Sequence, residues 1–311
     1  GEHMKKCILI YNPKSGKKER KKHLPKMKEI IEEKGYSCDI IFTEYHGHAT
    51  EIMSSLEEDV DLVISAGGDG TFNEVMTGNI KRKKRLLLAH LPVGTTNDVG
   101  AMMGYGKNII ENLKMTLNGV KKKMDICTIN DNPFVYVSTI GKFADVPYET
   151  PRDMKKKFGY LAYLVQGIKA FNRKTSLMDL TFEINGEKHR GLYSFIIISS
   201  ANRIAGINDF YKDVKLDDDK YEVLLCSIAK KKDIIKSLYF LALYGAEKVP
   251  GFEFYKTNNF KMKFADVPKK DWCVDGEKLD SKALTYEIKN INNVEVLLPK
   301  KNINKLFINK D

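Results

Sequence analysis

Residues 61–75, DLVISAGGDGTFNEV, decide how the chain is read. Leu62-Val63-Ile64-Ser65-Ala66 is an apolar run of strand length, and Phe72-Asn73-Glu74-Val75-Met76 opens a helical pattern. Between them stands Gly67-Gly68-Asp69-Gly70-Thr71. Glycine at Gly67, Gly68 and Gly70 lets the main chain approach a ligand closely and turn through angles that a Cβ forbids. The helix that follows points its unpaired N–H groups and the positive end of its dipole back at the loop. Together these parts make a cradle for phosphate. Asp69 sets a carboxylate in the middle of the cradle, which suits a bridging cation such as Mg²⁺. A glycine pair by itself would indicate only a strand-to-helix turn.

Upstream and downstream of this segment, strand and helix patterns alternate. Strands are expected at 7–11, 37–42, 62–66 and 86–91, and helices at 26–34, 49–58 and 109–119. Gly35 stands at the C-cap position of the first helix. This order predicts a mostly parallel sheet flanked by helices, with the ligand crevice beyond the carboxyl ends of the strands. Asn12-Pro13-Lys14-Ser15-Gly16, Thr43, the Gly67–Thr71 loop and Pro92-Val93-Gly94-Thr95-Thr96-Asn97-Asp98 all follow strand ends. In the last of these, Pro92 stops the strand, Gly94 permits close approach and Thr95 offers a hydroxyl. Asn97 and Asp98 are candidates to complete the cation and phosphate contacts. Alone, that stretch reads equally well as a turn into a helix.

After Lys121-Lys122-Lys123 the texture changes. Strand-like runs at 124–129, 134–139, 176–184, 192–199, 221–228, 259–264, 283–288 and 294–298 are separated by turn signals, among them Asn132-Pro133, Asn185-Gly186 and Asp275-Gly276-Glu277. Helical inserts are expected at 157–171 and 231–248. The pattern predicts a second domain, mainly antiparallel β, folded as a sandwich or flattened barrel. The expected division is 4–124 and 125–299, with a tail, 300–311, packing back on the first domain.

Length and composition narrow the classes. The chain has 311 residues, about two domains, and 42% hydrophobic residues, enough for real cores. Gly1-Glu2-His3 ahead of Met4 read as a cloning remnant, and no signal peptide follows. No apolar run approaches the ~20 residues that span a bilayer. Five scattered cysteines, none in a CxxC pair, argue against a disulfide framework and a cysteine zinc site, and fit a reducing cytosol. A formal net charge of +11 admits nucleic acid, an anionic membrane or a polyphosphate as partner. The chain carries no nucleic-acid motif, so nucleic acid is not expected.

NPKSG at 12–16, GGDGTFNEV at 67–75 and PVGTTND at 92–98 together resemble the diacylglycerol kinase catalytic-domain family, which includes soluble bacterial diacylglycerol kinases and the sphingosine and ceramide kinases. The resemblance runs from Met4 to about Leu298. It implies an N-terminal α/β nucleotide-binding domain, of the kind shared with NAD kinases and phosphofructokinase-like proteins, plus a C-terminal antiparallel β-sandwich. It also implies ATP bound against Asn12, Pro13, Lys14, Ser15, Gly16, Thr43, Gly67, Gly68, Asp69, Gly70, Thr71, Phe72, Asn73 and Thr95. The family's catalytic carboxylate lies in a DGE-like turn. Here that makes Glu277 the general base, with Asp69 holding the Mg²⁺–phosphate assembly in line. Read without the resemblance, Asp275-Gly276-Glu277 is a hairpin turn.

Some bacterial members hold a structural Mg²⁺ in a KLDDG-like loop. The matching stretch is Lys215-Leu216-Asp217-Asp218-Asp219-Lys220, where Asp218 would give a side-chain ligand and Lys215 and Lys220 backbone carbonyls. Asp219 departs from the usual glycine, and a solvated acidic turn is the other reading. His46 and His48 read as surface or crevice-edge residues rather than metal ligands. Asn202, Gly206 and Ile207 are candidates to line an acceptor pocket. Basic runs at 81–85, 121–123, 155–157 and 230–232 are either solvated faces or a grip on anionic lipid. Phe158, Tyr160 and Leu161, and residues 239–244, supply apolar neighbours for two of them.

The expectation from sequence is an ATP- and Mg²⁺-dependent lipid kinase of phospholipid biosynthesis, cytoplasmic and peripheral at an anionic membrane, acting most simply on diacylglycerol. A homodimer is compatible with the sequence. An NAD kinase-like enzyme and a catalytically silent nucleotide- or lipid-binding regulator are the alternatives.

Overall fold

The computed structural model describes residues 4–16, 18–94, 97–141, 177–201, 213–228, 233, 236–237, 240, 244, 248–280 and 282–309. These divide into two compact units: Gly1–Ile126 with Lys215–Asp218 and Ile291–Asp311, and Cys127–Val214 with Asp219–Asn290. The expected helix at 157–171 lies outside the described residues, as does most of the one at 231–248.

The first unit is built on the parallel strands β1 (Lys5–Tyr11), β2 (Tyr36–Phe42), β3 (Leu62–Gly67) and β4 (Leu88–Pro92), in the order β2-β1-β3-β4. Helices α1 (Leu24–Glu33), α2 (His48–Ser55), α3 (Asp69–Ile80), α4 (Asp98–Met103) and α5 (Ile109–Leu117) connect or flank them. Because side chains alternate along a strand, Cys7, Leu9 and Tyr11 face one way with Ile64, Ala66, Leu91 and Val93. Against that face α1 sets Leu24, Met27, Ile30 and Ile31, the one-face spacing of a helix. Gly35, at φ +90°, reverses the chain after α1 into β2, as expected of a helix-ending glycine.

β5 (Val120–Ile129) begins in the first unit. Lys122, at the centre of its basic run, is buried: its Nζ donates to Asn309 O at 2.6 Å and lies over the Phe307 ring. Residues 291–309 return to this unit. Val296 pairs with Leu88 in parallel, and Leu306 and Phe307 are buried. Asp217 accepts from the amides of Ile308 and Asn309 at 2.8 and 2.9 Å, while Lys215 Nζ donates to Lys305 O.

The second unit is a sandwich of two antiparallel sheets. In one, β8 (Met178–Ile184) pairs with β9 (Glu187–Tyr193) and β13 (Phe260–Phe264), and β13 pairs with the first residues of β16 (Thr285–Leu298). The other has the order β12-β11-β10-β7-β14-β15, comprising β7 (Val137–Gly141), β10 (Phe195–Ser199), β11 (Tyr221–Cys226), β12 (Phe252–Thr257), β14 (Cys273–Val274) and β15 (Glu277–Lys278). Phe182, Met262 and Tyr286 from the first sheet meet Ile140, Ile198 and Val223 from the second in one apolar core with Trp272. A short strand, β6 (Asn132–Phe134), folds back on the end of β5.

Four expected strand runs differ in the structure, each for a specific physical reason. The run 134–139 is broken because the Val135, Tyr136 and Val137 amides are taken by the Asp275 carboxylate. The run 192–199 divides at Ser194, whose amide and hydroxyl both donate to Cys226 O, so Tyr193 ends a strand of one sheet and Phe195 starts a strand of the other. The runs 283–288 and 294–298 are parts of one strand. The polar stretch between them looks like a loop, but it stays extended, with a local twist at Asn293, φ +61°. Asn185-Gly186 makes the expected two-residue hairpin, with φ of +51° and +80°.

Candidate active site

The loops after β1, β2, β3 and β4 leave the same edge of the parallel sheet and are laced to one another. Asn12 N–H donates to Ala66 O at 2.9 Å, Thr43 N–H to Tyr11 O at 2.9 Å, and Val93 N–H to Gly67 O at 3.0 Å. Asn12 Nδ2 reaches Thr71 Oγ1 at 3.1 Å, tying the first loop to the start of α3. Asn12 Oδ1 accepts from Lys14 N–H, and its carbonyl from Ser15 N–H, so Asn12-Pro13-Lys14-Ser15 is a closed turn that Gly16 leaves at φ +70°.

Gly94 is confined by its neighbour. A Cβ there would sit 2.6 Å from Gly68 Cα, so the two loops touch main chain to main chain. Asn97 closes its own loop: Gly94 N–H donates to Asn97 Oδ1 at 3.1 Å, and Asn97 Nδ2 donates to Gly94 O at 2.7 Å. Its side chain is therefore occupied in shaping the turn. Thr95 lies outside the described residues.

α3 starts at Asp69 with Gly68 as its N-cap and no side-chain cap, the situation in which first-turn amides suit an external anion. Phe72 is buried under this turn and Asn73 is half-buried. The Asp69 carboxylate points across to the next loop. Oδ2 accepts from Asp98 N–H at 2.9 Å and Oδ1 from Val99 N–H at 3.2 Å. Asp69 thus acts as the cap of α4, a task that leaves each carboxylate oxygen further lone pairs.

Behind Asp69 lies a residue that reading the motifs passed over. His90, in the middle of β4 and opposite Ser65, is fully buried, with its ring 4.7 Å from that of Phe72. Its Nε2 is 4.0 Å from Asp69 Oδ1. Burial lowers its pKa to about 3, offset in part by a Ser65 main-chain group, so the ring is neutral and the pair is not an ion pair. Apart from that Ser65 main-chain group, no partner completes a well-formed hydrogen bond to either ring nitrogen, and the buried Ser65 hydroxyl has none either. A lone histidine in the apolar run Leu86-Leu87-Leu88-Ala89-His90-Leu91 was the available signal.

In the second unit, Asp275-Gly276 is the two-residue loop of a hairpin. Val274 pairs with Glu277, and φ is +47° and +89° at the two loop positions. The Asp275 side chain is 5% exposed and accepts from three amides, Val135 to Oδ2 at 2.7 Å, and Tyr136 and Val137 to Oδ1 at 2.8 and 3.0 Å. That clamp holds the turn and leaves Glu277 exposed at the first position of β15.

In the 215–220 loop, Asp219 takes φ +56°, the left-handed conformation a glycine would supply and that aspartate tolerates. The departure from glycine therefore leaves the backbone course available. Asp217 is committed to the Ile308 and Asn309 amides. Asp218 with backbone carbonyls is an oxygen-only donor set, fit for Mg²⁺ or Ca²⁺. Among the described residues, no group of three or more His, Cys, Asp or Glu assembles around a common point.

The basic run at 81–85 is partly structural. Arg82 donates to the carbonyls of Met53, Leu56 and Glu57, Lys84 to Glu58 O and Arg85 to Asn292 O. His48 is tied to its own loop: its Nδ1 accepts from Glu44 N–H and its ring stacks on Tyr45. The runs 155–157 and 230–232 with most of their apolar neighbours, and Asn202, Gly206 and Ile207, lie outside the described residues. All five cysteines are free thiols, and all but Cys273 are buried, as expected of core residues. Among the described residues no helix is long and apolar enough to cross a membrane.

A mostly parallel α/β unit with glycine-lined strand-end loops, in one chain with an antiparallel β unit, defines the class of fold. Residues 6–129 match the diacylglycerol kinase catalytic domain. A diacylglycerol kinase from Staphylococcus aureus strain MRSA252 is 30% identical over 315 aligned positions, covering 99% of this chain and 96% of the relative. The diacylglycerol kinase of strain Newman matches to the same extent. A crystal structure of a diacylglycerol kinase from Bacillus anthracis superposes with a TM-score of 0.76 at 20% identity, over 97% of this chain and 100% of the other. The chain belongs to the diacylglycerol kinase family.

Proposed function

We propose that the protein transfers the γ-phosphate of ATP to the hydroxyl of a lipid, diacylglycerol, giving phosphatidic acid and ADP. The lacing of the four strand-end loops into one surface is the observation that carries this reading: Asn12, Thr71, Gly67, Gly94 and Asp69 are held in one constellation by their own hydrogen bonds. Phosphoryl transfer asks for little beyond positioning and charge neutralisation, which a preorganised loop array supplies. ATP lies against Asn12, Pro13, Lys14, Ser15, Gly16, Thr43, Thr95 and the Gly67–Thr71 loop. Bound Mg²⁺, held by Asp69 with Asp98 nearby, would neutralise charge on the phosphates. Glu277 is the general base for the acceptor hydroxyl, and its exposed place at the head of β15 leaves it open to a substrate. The 215–220 loop takes a structural Mg²⁺ through Asp218 and the Lys215 and Lys220 carbonyls. The enzyme works in the cytoplasm, peripherally on an anionic membrane and in phospholipid synthesis.

The test is incubation of the purified chain with γ-labelled ATP, Mg²⁺ and dioleoylglycerol in mixed micelles, with ceramide, sphingosine and NAD as parallel acceptors. Labelled phosphatidic acid as the main product is expected. Labelled NADP in its place would overturn the lipid assignment, and no transfer to any acceptor would favour a silent binding protein.

A further inference from the structure

We propose that His90 is a positioning residue for Asp69, its Nε2–H being the donor that orients carboxylate oxygen Oδ1 from behind the glycine loop. This rests on the reading of Asp69 as the residue that handles phosphate.

The argument starts from an energetic oddity. A fully buried imidazole whose nitrogens complete no well-formed hydrogen bond, beyond the pull of a Ser65 main-chain group, costs stability. Leucine would fill the same place in the run from Leu86 to Leu91 without that cost. Such a residue is expected where it does a job that stability does not reward. The job is indicated by what it faces. Of the two ring nitrogens, Nε2 is the one directed at Asp69, at 4.0 Å from Oδ1. That distance exceeds a hydrogen bond and is too short to hold a water between the atoms, so a movement of about 1 Å by either side chain forms the bond directly. Oδ1 stands 3.2 Å from Val99 N, a longer separation than the 2.9 Å between Oδ2 and Asp98 N.

The setting keeps the imidazole neutral and aimed. The Phe72 ring lies against it at 4.7 Å, tilted by 33°, and Ser65 stands beside it in the strand register. A neutral Nε2–H donor fixes the carboxylate's direction without cancelling its charge, whereas a buried cation would compete with a phosphate-bridging metal. The arrangement parallels the outer-shell donors that orient carboxylates at metal and phosphate sites.

The experiment compares His90→Leu with His90→Gln, which keeps an N–H donor near the Nε2 position. The expected result for the leucine variant is a Tm equal to or above that of the native chain, with kcat lowered about 10- to 100-fold and KM for ATP within about threefold. The glutamine variant recovers most of the kcat. A histidine that merely fills the core predicts the opposite: a leucine variant that is stable and fully active, or a glutamine variant as impaired as the leucine one. Either outcome overturns the proposal. An arm independent of activity reads the ring by long-range ¹H–¹⁵N NMR, the His90 signal being assigned by its loss in His90→Gln. The expected signal is a neutral Nε2–H tautomer that shifts in Asp69→Asn. A Nδ1–H tautomer, or no shift, overturns the proposal even if the leucine variant fails to fold. Should the native chain phosphorylate no lipid, the functional reading fails on its own, and the NMR arm still decides the role of His90.

Discussion

The chain uses the dipeptide Asp-Gly in two decisive places, Asp69-Gly70 and Asp275-Gly276, and the two differ instructively. At the first, the aspartate begins a helix, and its carboxylate spans two loops to cap the start of α4. At the second, the pair forms a left-handed hairpin turn, and the carboxylate gathers three consecutive amides in the core of the second unit. Both carboxylates are anchored by main chain. Around Asp275 the setting is complete, with three amides on two oxygens. Around Asp69 it includes the buried His90 ring, whose Nε2 stands 4.0 Å from Oδ1. The first carboxylate ties two loops together. The second fixes a turn that presents its neighbour Glu277 at the surface.

The contrast is open to direct attack. Asp69→Asn should have the largest effect: turnover falls by about a thousandfold or more, the several kcal/mol expected when charge handling at a phosphate is lost. Its stability drops only ~1 kcal/mol, because the amide oxygen still accepts an α4 amide. Normal turnover in that variant would refute the mechanism. Glu277→Gln should cost about a hundredfold or more in kcat with an unchanged Tm, since the side chain is exposed. Asp275→Ala should reverse that pattern. It strips an acceptor from three amides and destabilises the chain by about 3 kcal/mol or more in urea titration, with activity lost through the displaced turn. If Asp275→Ala unfolds at the native urea midpoint, the clamp is not what holds the hairpin. Gly94→Ala should have the smallest effect, about 1–3 kcal/mol of strain from the added Cβ against Gly68, together with weaker ATP binding by calorimetry.

Much of the fold is written locally, and those parts are legible in sequence. Alternation and helical spacing placed β1 to β4 and their helices to within a few residues, and Asn185-Gly186 announced its hairpin. The illegible parts depend on distant partners. Nothing near Tyr136 says that its amide is bound by Asp275, 139 positions away, so the strand break there could not be foreseen. Ser194 switches sheets because of Cys226, and the polar run 289–293 remains strand despite its composition. At the candidate site, the glycine motifs are legible because close main-chain approach demands them. The hydrogen bonds that knit those motifs together, the occupied side chain of Asn97 and the place of His90 are tertiary facts. The basic run at 81–85 shows the converse: its charges suggest a surface for anions, while Arg82 is spent on four carbonyls.

The first unit is not continuous in the chain. Its fourth strand, β4, is flanked by residues from the end of β16, and its β5 region is closed by Leu306, Phe307 and the Asn309 carbonyl that holds Lys122. During synthesis the glycine loops therefore emerge long before the residues that complete the unit carrying them. Between the two, the ribosome must make the whole of the β-sandwich. The first unit is begun first and finished last, so a truncated nascent chain can own every glycine motif and still lack a finished unit to present them.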